Sequence, residues 1–256
     1  MTYTGIDTAA RITATQATAL RENGVSFVGR YIVDPTMQSK AITDSEAKRI
    51  HDAGMGLLLI WETYATRCRE GEAAGKRDGY EAYSLAKQMG VPPNTVIYFA
   101  VDYDAPKNDY AAIEAYLYAA KSACAPYRCG VYGKANLINS VKADAYMQCV
   151  AWSGGMVSTK NNIYQYEWQG GTEAQKMAKA VGVPVDMCRC TDLNAAGIWF
   201  PEKQKMWYDD AMQWAAQQGL IMDGRPNDPV TRAELATVLY RIYGPDDNKS
   251  ESGLLS

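Results

Sequence analysis

Short apolar runs alternate with helix-type stretches along the first 200 residues of this 256-residue chain. No other feature restricts its fold so tightly. The runs are too short for helices and are rich in β-branched and aromatic residues, which suit strands. They predict strands over 3–7, 26–33, 56–62, 95–103, 128–133, 148–153, 162–168 and 185–192. Between them, Thr13-Ala14-Thr15-Gln16 and Thr43-Asp44-Ser45-Glu46 have capping-box spacing, and Gly24 and Gly54 stand where those helices should stop. Two further outer helices are expected over 72–90 and 109–125. Alternating strand and helix is the pattern of parallel β/α architecture, and eight strands make a TIM-type (β/α)8 barrel over residues 1–200.

Past Trp199 the rhythm changes. Trp207, Ala211, Trp214, Ala215 and Gln218 recur at helical spacing, and Gly219 closes that helix. After a turn at Asp223-Gly224-Arg225-Pro226, Thr231-Arg232-Ala233-Glu234 gives a third capping box. It opens a helix with Leu235, Val238, Leu239 and Ile242 on one face. Residues 201–245 are therefore expected to form a small all-α hairpin, followed by a polar tail over 246–256. Two helices of this size bury little core alone, so they need the barrel, a partner or a second copy of themselves.

Composition removes several functional classes. Hydrophobic residues are 47% of the chain and charged residues 21%, with a net charge of −3. That charge argues against wrapping nucleic acid, which needs a basic face, and no apolar stretch approaches the ~20 residues of a membrane span. The six cysteines lack metal-finger spacing and have one histidine, His51, to join them. No metal site and no cofactor are expected, and the cysteines read as reduced, buried thiols. His51 falls mid-helix and reads as inert. The start Met1-Thr2-Tyr3-Thr4-Gly5 has no basic region followed by an apolar run, so the expectation is a protein made in the cytoplasm without a secretory signal.

The chemistry is signalled by carboxylates. Asp7, Glu62, Asp102 with Asp104, and Asp192 each close a predicted strand. Asp favours turns and caps, so any one of them has an ordinary explanation. Four strands ending this way, one of them in Glu, is a stronger signal. In a parallel barrel such ends share one rim, where active sites are built. Asp102 and Asp104, two apart on a strand, are expected to project together. Crowded carboxylates raise one another's pKa, and a protonated carboxyl beside an ionised one is what glycoside hydrolysis requires. Magnesium or calcium would use the same residue types. Tyr64, Tyr132, Trp152, Tyr166 and Trp168 lie beside these ends, with faces on which sugar rings stack. Arg30 reads as a barrel ion-pair partner for Asp7 or a neighbour.

Several of these segments resemble a known family. Gly5-Ile6-Asp7, Phe27-Val28-Gly29-Arg30-Tyr31, Ile97-Tyr98-Phe99-Ala100-Val101-Asp102-Tyr103-Asp104 and Gly130-Val131-Tyr132-Gly133 are similar to the glycoside-hydrolase-like domain first catalogued as domain of unknown function 1906. That domain is related to the family 25 lysozymes. Ile163-Tyr164-Gln165-Tyr166 and Thr191-Asp192-Leu193-Asn194 resemble elements near the end of those enzymes. The resemblance implies a peptidoglycan hydrolase with Asp7, Asp102 and Asp192 as supporting carboxylates; Asp186 is the alternative to Asp192. It puts the general acid at Asp104, where the lysozymes carry Glu, or at Glu62. A non-catalytic wall-polysaccharide-binding barrel is the second reading, and a glycosidase acting on a capsule or storage glycan is the third. Trp214-Ala215, Gly219-Leu220-Ile221 and Pro229-Val230-Thr231-Arg232-Ala233-Glu234 resemble one S-layer homology repeat. That implies secondary cell-wall polymer as a second partner and a homo-oligomer assembled through this segment. Together these features imply a phage or prophage endolysin that reaches the wall after holin-type release.

Overall fold

The computed structural model describes residues 2–37 and 40–201, together with Trp214 and Ala236, both helical. The chain divides into two compact units, Met1–Pro201 and Glu202–Ser256. Apart from those two residues, the hairpin expected over 201–245 and the tail over 246–256 lie outside the described residues.

The first unit is a closed eight-stranded barrel whose strands neighbour one another in sequence order. The strands are β1 Tyr3–Asp7, β2 Val25–Tyr31, β3 Gly56–Trp61, β4 Val96–Ala100, β5 Arg128–Gly133, β6 Ala145–Cys149, β7 Ile163–Glu167 and β8 Asp186–Cys190. The helices are α1 Ala14–Glu22, α2 Asp44–Asp52, α3 Gly71–Gln88, α4 Tyr110–Ala123, α5 Ala135–Ser140 and α6 Thr172–Val181. No helix joins β6 to β7. The strand expected over 148–153 begins at Ala145 instead, and residues 150–155 turn away.

Helix boundaries follow local chemistry. At α1 the capping box is complete, with the Thr13 side chain on the Gln16 N–H and the Gln16 side chain returning to Thr13. At α2 only half of it forms: Thr43 accepts from the Glu46 N–H, but the Glu46 carboxylate is drawn into the protein by Arg30. Gly24 and Gly54 follow the two helices with φ of 84° and 79°, left-handed values that glycine adopts without strain.

One element runs against the expected direction. Strands β1 to β7 pair in parallel, whereas β8 pairs antiparallel with both β1 and β7. The cause lies in α6, both of whose ends stay at the rim where β7 ends. Glu167 accepts from the Ala174 N–H at its start at 2.7 Å, and at its other end the Gly182 carbonyl accepts from Gln16, at the start of α1, at 2.9 Å. The chain never crosses back, so β8 enters from the upper rim and runs down.

Below the barrel the returning chain forms a floor. The Tyr98 hydroxyl donates to the Ala196 carbonyl at 2.8 Å, and Leu57 and Trp199 exchange both backbone hydrogen bonds at 2.7 and 2.8 Å. His51 takes part: its ring stands edge-on to Trp199 at 4.6 Å, with Nε2 3.2 Å from the Trp199 carbonyl oxygen. Gly197 sits so close to β4 that a Cβ would fall 2.3 Å from Val96 Cγ2. Two apolar layers complete the packing. Phe27, Leu58, Tyr98 and Ile163 fill the barrel interior, and Ile6, Leu59, Phe99 and Val131 pack between barrel and helices. All six cysteines are buried and free.

Candidate functional site

Alternation along each strand decides which side chains reach the barrel axis. Phe27, Leu58 and Tyr98 lie in the interior layer. Counting by twos from them, and across the paired registers, puts Tyr31, Ile60, Ala100 and Tyr132 on the same inner face. Asp7, Glu62, Asp102, Gln165 and Asp186 complete it at the upper rim. These nine residues line one cavity of about 70 Å³. A groove of about 380 Å³ continues from it past Thr8, Ala9, Ala10, Gln169 and Pro184, sharing Asp7, Tyr31, Asp102 and Asp186. The groove falls within the usual range for small-molecule sites.

Asp7 occupies the floor of this mouth and is only 4% exposed. It fits because residue 29 is glycine: a Cβ there would lie 2.5 Å from Asp7 Cβ. Asp7 Oδ2 accepts from Gln165 Nε2 at 2.9 Å and from the Cys188 thiol at 3.2 Å. Asp186, its register partner on β8, accepts from the same Gln165 nitrogen at 3.1 Å and from the Gln169 N–H at 2.6 Å. Burial, then the neighbouring Asp186 charge, pushes Asp7 up to about 7. Burial also raises Asp186. Across the mouth, half-buried Asp102 is raised by burial and then by the charge of Glu62. Lys40 binds Glu62 at 2.6 Å and lies 4.3 Å from the centre of the Tyr31 ring.

The raised Asp7 carries a stability signature. Its carboxyl keeps a proton in the folded barrel up to about pH 7, whereas its ordinary value is 3.8. Between those values the folded state holds more protons than the unfolded one. The Asp7 contribution is thus complete below about pH 4 and lost as pH rises to about 7, at up to about 1.4 kcal/mol per pH unit. In Asp7→Asn, thermal unfolding followed by circular dichroism should show a flatter decline across that window and a higher Tm than wild type at about pH 8. A decline as steep as wild type counts against a protonated Asp7.

The structure separates the residues that the sequence grouped. Asp7, Glu62 and Asp102 meet at the mouth, and Asp192 does not. Because β8 runs downward, its last residues lie at the lower rim, where the Asp192 carboxylate accepts from the Asn194 and Ala195 N–H groups at 2.9 Å each. That is the turn-capping role of an ordinary Asp, and Asp186, at the upper end of β8, takes its place. Asp104 does not share a face with Asp102. Strand β4 stops at Ala100, and a three-residue turn closed by the Ala105 N–H on the Tyr103 carbonyl at 2.7 Å bends the chain at Asp104. Its side chain is 64% exposed and ion-pairs with Lys134.

The aromatic residues divide in the same way. Tyr132 lines the cavity. Tyr64, Trp152 and Trp168 stand on the loops that follow β3, β6 and β7, line neither the cavity nor its groove, and are 44%, 42% and 61% exposed. Tyr166 faces away, since its neighbour Gln165 takes the inward position. Its hydroxyl donates to Glu173 at 2.7 Å. Arg30 pairs with Glu46 rather than Asp7, with Nε 2.7 Å from Oε1. Four contributors escaped the sequence reading of the site: Tyr31, Lys40, Gln165 and the Cys188 thiol. Inward parity could have found three, since Tyr31 sits two after Gly29, Gln165 two after Ile163 and Cys188 two after Asp186. Lys40 is in a loop and carries no such signal.

Comparison with known proteins agrees with this architecture. Mycobacterium tuberculosis Rv2525c, a Tat-secreted protein solved in complex with L-tartrate, is 23% identical, covering 77% of this chain and 98% of that one with a TM-score of 0.63. The catalytic domain of endolysin ply40 from Listeria monocytogenes bacteriophage P40 is 21% identical, covering 76% and 96% with a TM-score of 0.50. At these identities the likeness is one of fold. The uncharacterized Bacillus subtilis protein FadG is 28% identical over 260 aligned positions, covering 93% of this chain. The chain spans less than half the length of the curated relatives it matches, 44% of FadG and 21% of the uncharacterized Bacillus subtilis protein YbfG. An S-layer homology domain matches residues 201–236. The Rv2525c-like, glycoside hydrolase-like domain matches residues 18–195, and the chain belongs to that family.

Proposed function

We propose that the barrel hydrolyses the glycan backbone of bacterial cell wall, with Asp102 as the proton donor and the Asp7–Asp186 pair facing it. One observation carries this reading: four carboxylates converge in one small, largely buried mouth on opposite walls of a closed barrel. Glycoside hydrolysis needs a carboxyl that still holds its proton and a second carboxylate group across the scissile bond. Asp102 is raised, half-buried and open to the groove. The Asp7–Asp186 pair, sharing one proton near neutrality, keeps a single negative charge to steady an oxocarbenium-like centre. Of the two donors that the sequence favoured, Asp104 is turned to solvent and Glu62 is held by Lys40. Tyr64, Trp152 and Trp168 would stack sugar rings on either side of the mouth. The S-layer homology match supports a second contact with wall polymer. In this reading the protein is of endolysin type, acting at the wall after holin-type release.

The outward turn of Asp104 favours a second reading, a barrel that binds wall glycan without cutting it. Purified walls from a panel of Gram-positive bacteria separate the two. Falling turbidity with release of new reducing ends supports hydrolysis. Retention on walls with no reducing ends released from any of them supports binding alone.

A further inference from the structure

Asp7 and Asp186 stand side by side on adjacent strands, where two unassisted negative charges would repel. What holds them is a neutral amide. Gln165, 4% exposed on β7, reaches both Oδ2 atoms with one nitrogen, at 2.9 and 3.1 Å. An amide nitrogen has two hydrogens, one for each carboxylate, and nothing left to give. Its other end is fixed as well: Gln165 Oε1 accepts from the Tyr132 hydroxyl at 3.0 Å. Burial pushes the Tyr132 pKa far up, so that hydroxyl keeps its proton and remains a donor.

We propose that Gln165 is the positioning residue of this mouth, clamping Asp7 and Asp186 together through one nitrogen while Tyr132 dictates which end of the amide faces them. The use of the clamp rests on the hydrolase reading. By donating to both carboxylates, Gln165 favours their charged forms. It thus stops the pair from taking up a second proton, which would erase the charge that faces the substrate. The other groups around the pair are Asp102 at the end of β4, Glu62 with its partner Lys40, Tyr31 on β2, and the Cys188 and Cys149 thiols. Among these only Lys40 is cationic, and it is engaged by Glu62. The neutral clamp therefore does work that a counter-ion does elsewhere.

The test reads protons rather than turnover. Carboxyl carbon NMR of the full chain follows the Asp7 titration, with its resonance assigned by Asp7→Asn. Gln165→Met keeps the volume and removes both donors, and should raise the Asp7 midpoint by about 1–2 pH units, the size of a lost hydrogen bond to a charged group. Tyr132→Phe leaves the amide in place but free to turn, and should raise it by less. Unmoved midpoints in folded Gln165→Met and Tyr132→Phe overturn the proposal; should Gln165→Met fail to fold, Tyr132→Phe decides alone. Wall cleavage is measured in parallel. A shifted midpoint in a protein whose wild type cuts no wall supports the clamp and removes the hydrolase reading.

Discussion

Asp102→Asn should lower the rate of wall-glycan cleavage by about 10²–10⁴-fold, the usual loss on removing a general acid. Binding to insoluble walls should stay near wild type, because Asn keeps the shape of the side chain and the rim aromatics are untouched. Asp104→Asn should cleave at close to the wild-type rate, since Asp104 points out of the cavity and pairs with Lys134. Released reducing ends, compared at matched wall occupancy, measure both. An inactive Asp104→Asn beside an active Asp102→Asn would return the proton donor to Asp104. Wild-type cleavage by Asp102→Asn with a dead Glu62→Gln would move it to Glu62.

Glu46→Ala should be the most destabilising single change to the barrel outside its apolar core. Arg30 and Glu46 are both fully buried. Arg30 Nε and Nη2 donate to Glu46 at 2.7 and 3.3 Å, its Nη1 donates to the Thr8 carbonyl at 2.6 Å, and Glu46 also accepts from the Ile12 N–H at 2.8 Å. Removing the carboxylate strands a guanidinium away from water, a loss of about 3–5 kcal/mol. For a barrel of this size that is a fall in Tm of about 10 °C, readable by calorimetry. The double variant Arg30→Met with Glu46→Leu should recover much of it, because an apolar pair needs no counter-charge. A Glu46→Ala protein with wild-type Tm would mean that water reaches Arg30. The pair also ties down residues 8–12, which border the groove beside Asp7, so Glu46→Ala should weaken wall binding as well.

Much of the barrel was legible in periodicity. Runs ending at Asp7 and Glu62 have fixed lengths and apolar faces, and the glycines after α1 and α2 mark their ends. Strand direction leaves no such trace, because an antiparallel β8 has the same alternation as a parallel one. Alternation alone therefore places Asp192 at the mouth, whereas in the structure it caps a turn at the floor and Asp186 stands at the mouth. Asp104 failed for a related reason. The rule that residues two apart share a face holds only while the strand lasts, and β4 ends before Asp102. Gln165 and Tyr166 are adjacent on β7, and an aromatic next to a strand end resembles a sugar-stacking residue, but the inward parity set by Ile163 falls on the glutamine. The hydrogen bonds of Gln165 to two carboxylates are tertiary facts, reaching from β7 to the next strand β8 and to β1 at the far end of the chain.

The reversal of β8 has a consequence for how such a barrel can be joined to other proteins. Strand β1 rises from the lower rim, and the chain departs there too, after Trp199 has paired with Leu57 at the base of β3. In a fully parallel barrel the last strand finishes at the mouth, and a closing helix must carry the chain away. Here the first and last strands of the barrel begin and finish on the face away from the cavity. It can accordingly be spliced into a longer polypeptide with both junctions on one side. Linker length and composition at either junction can then vary without touching the carboxylates.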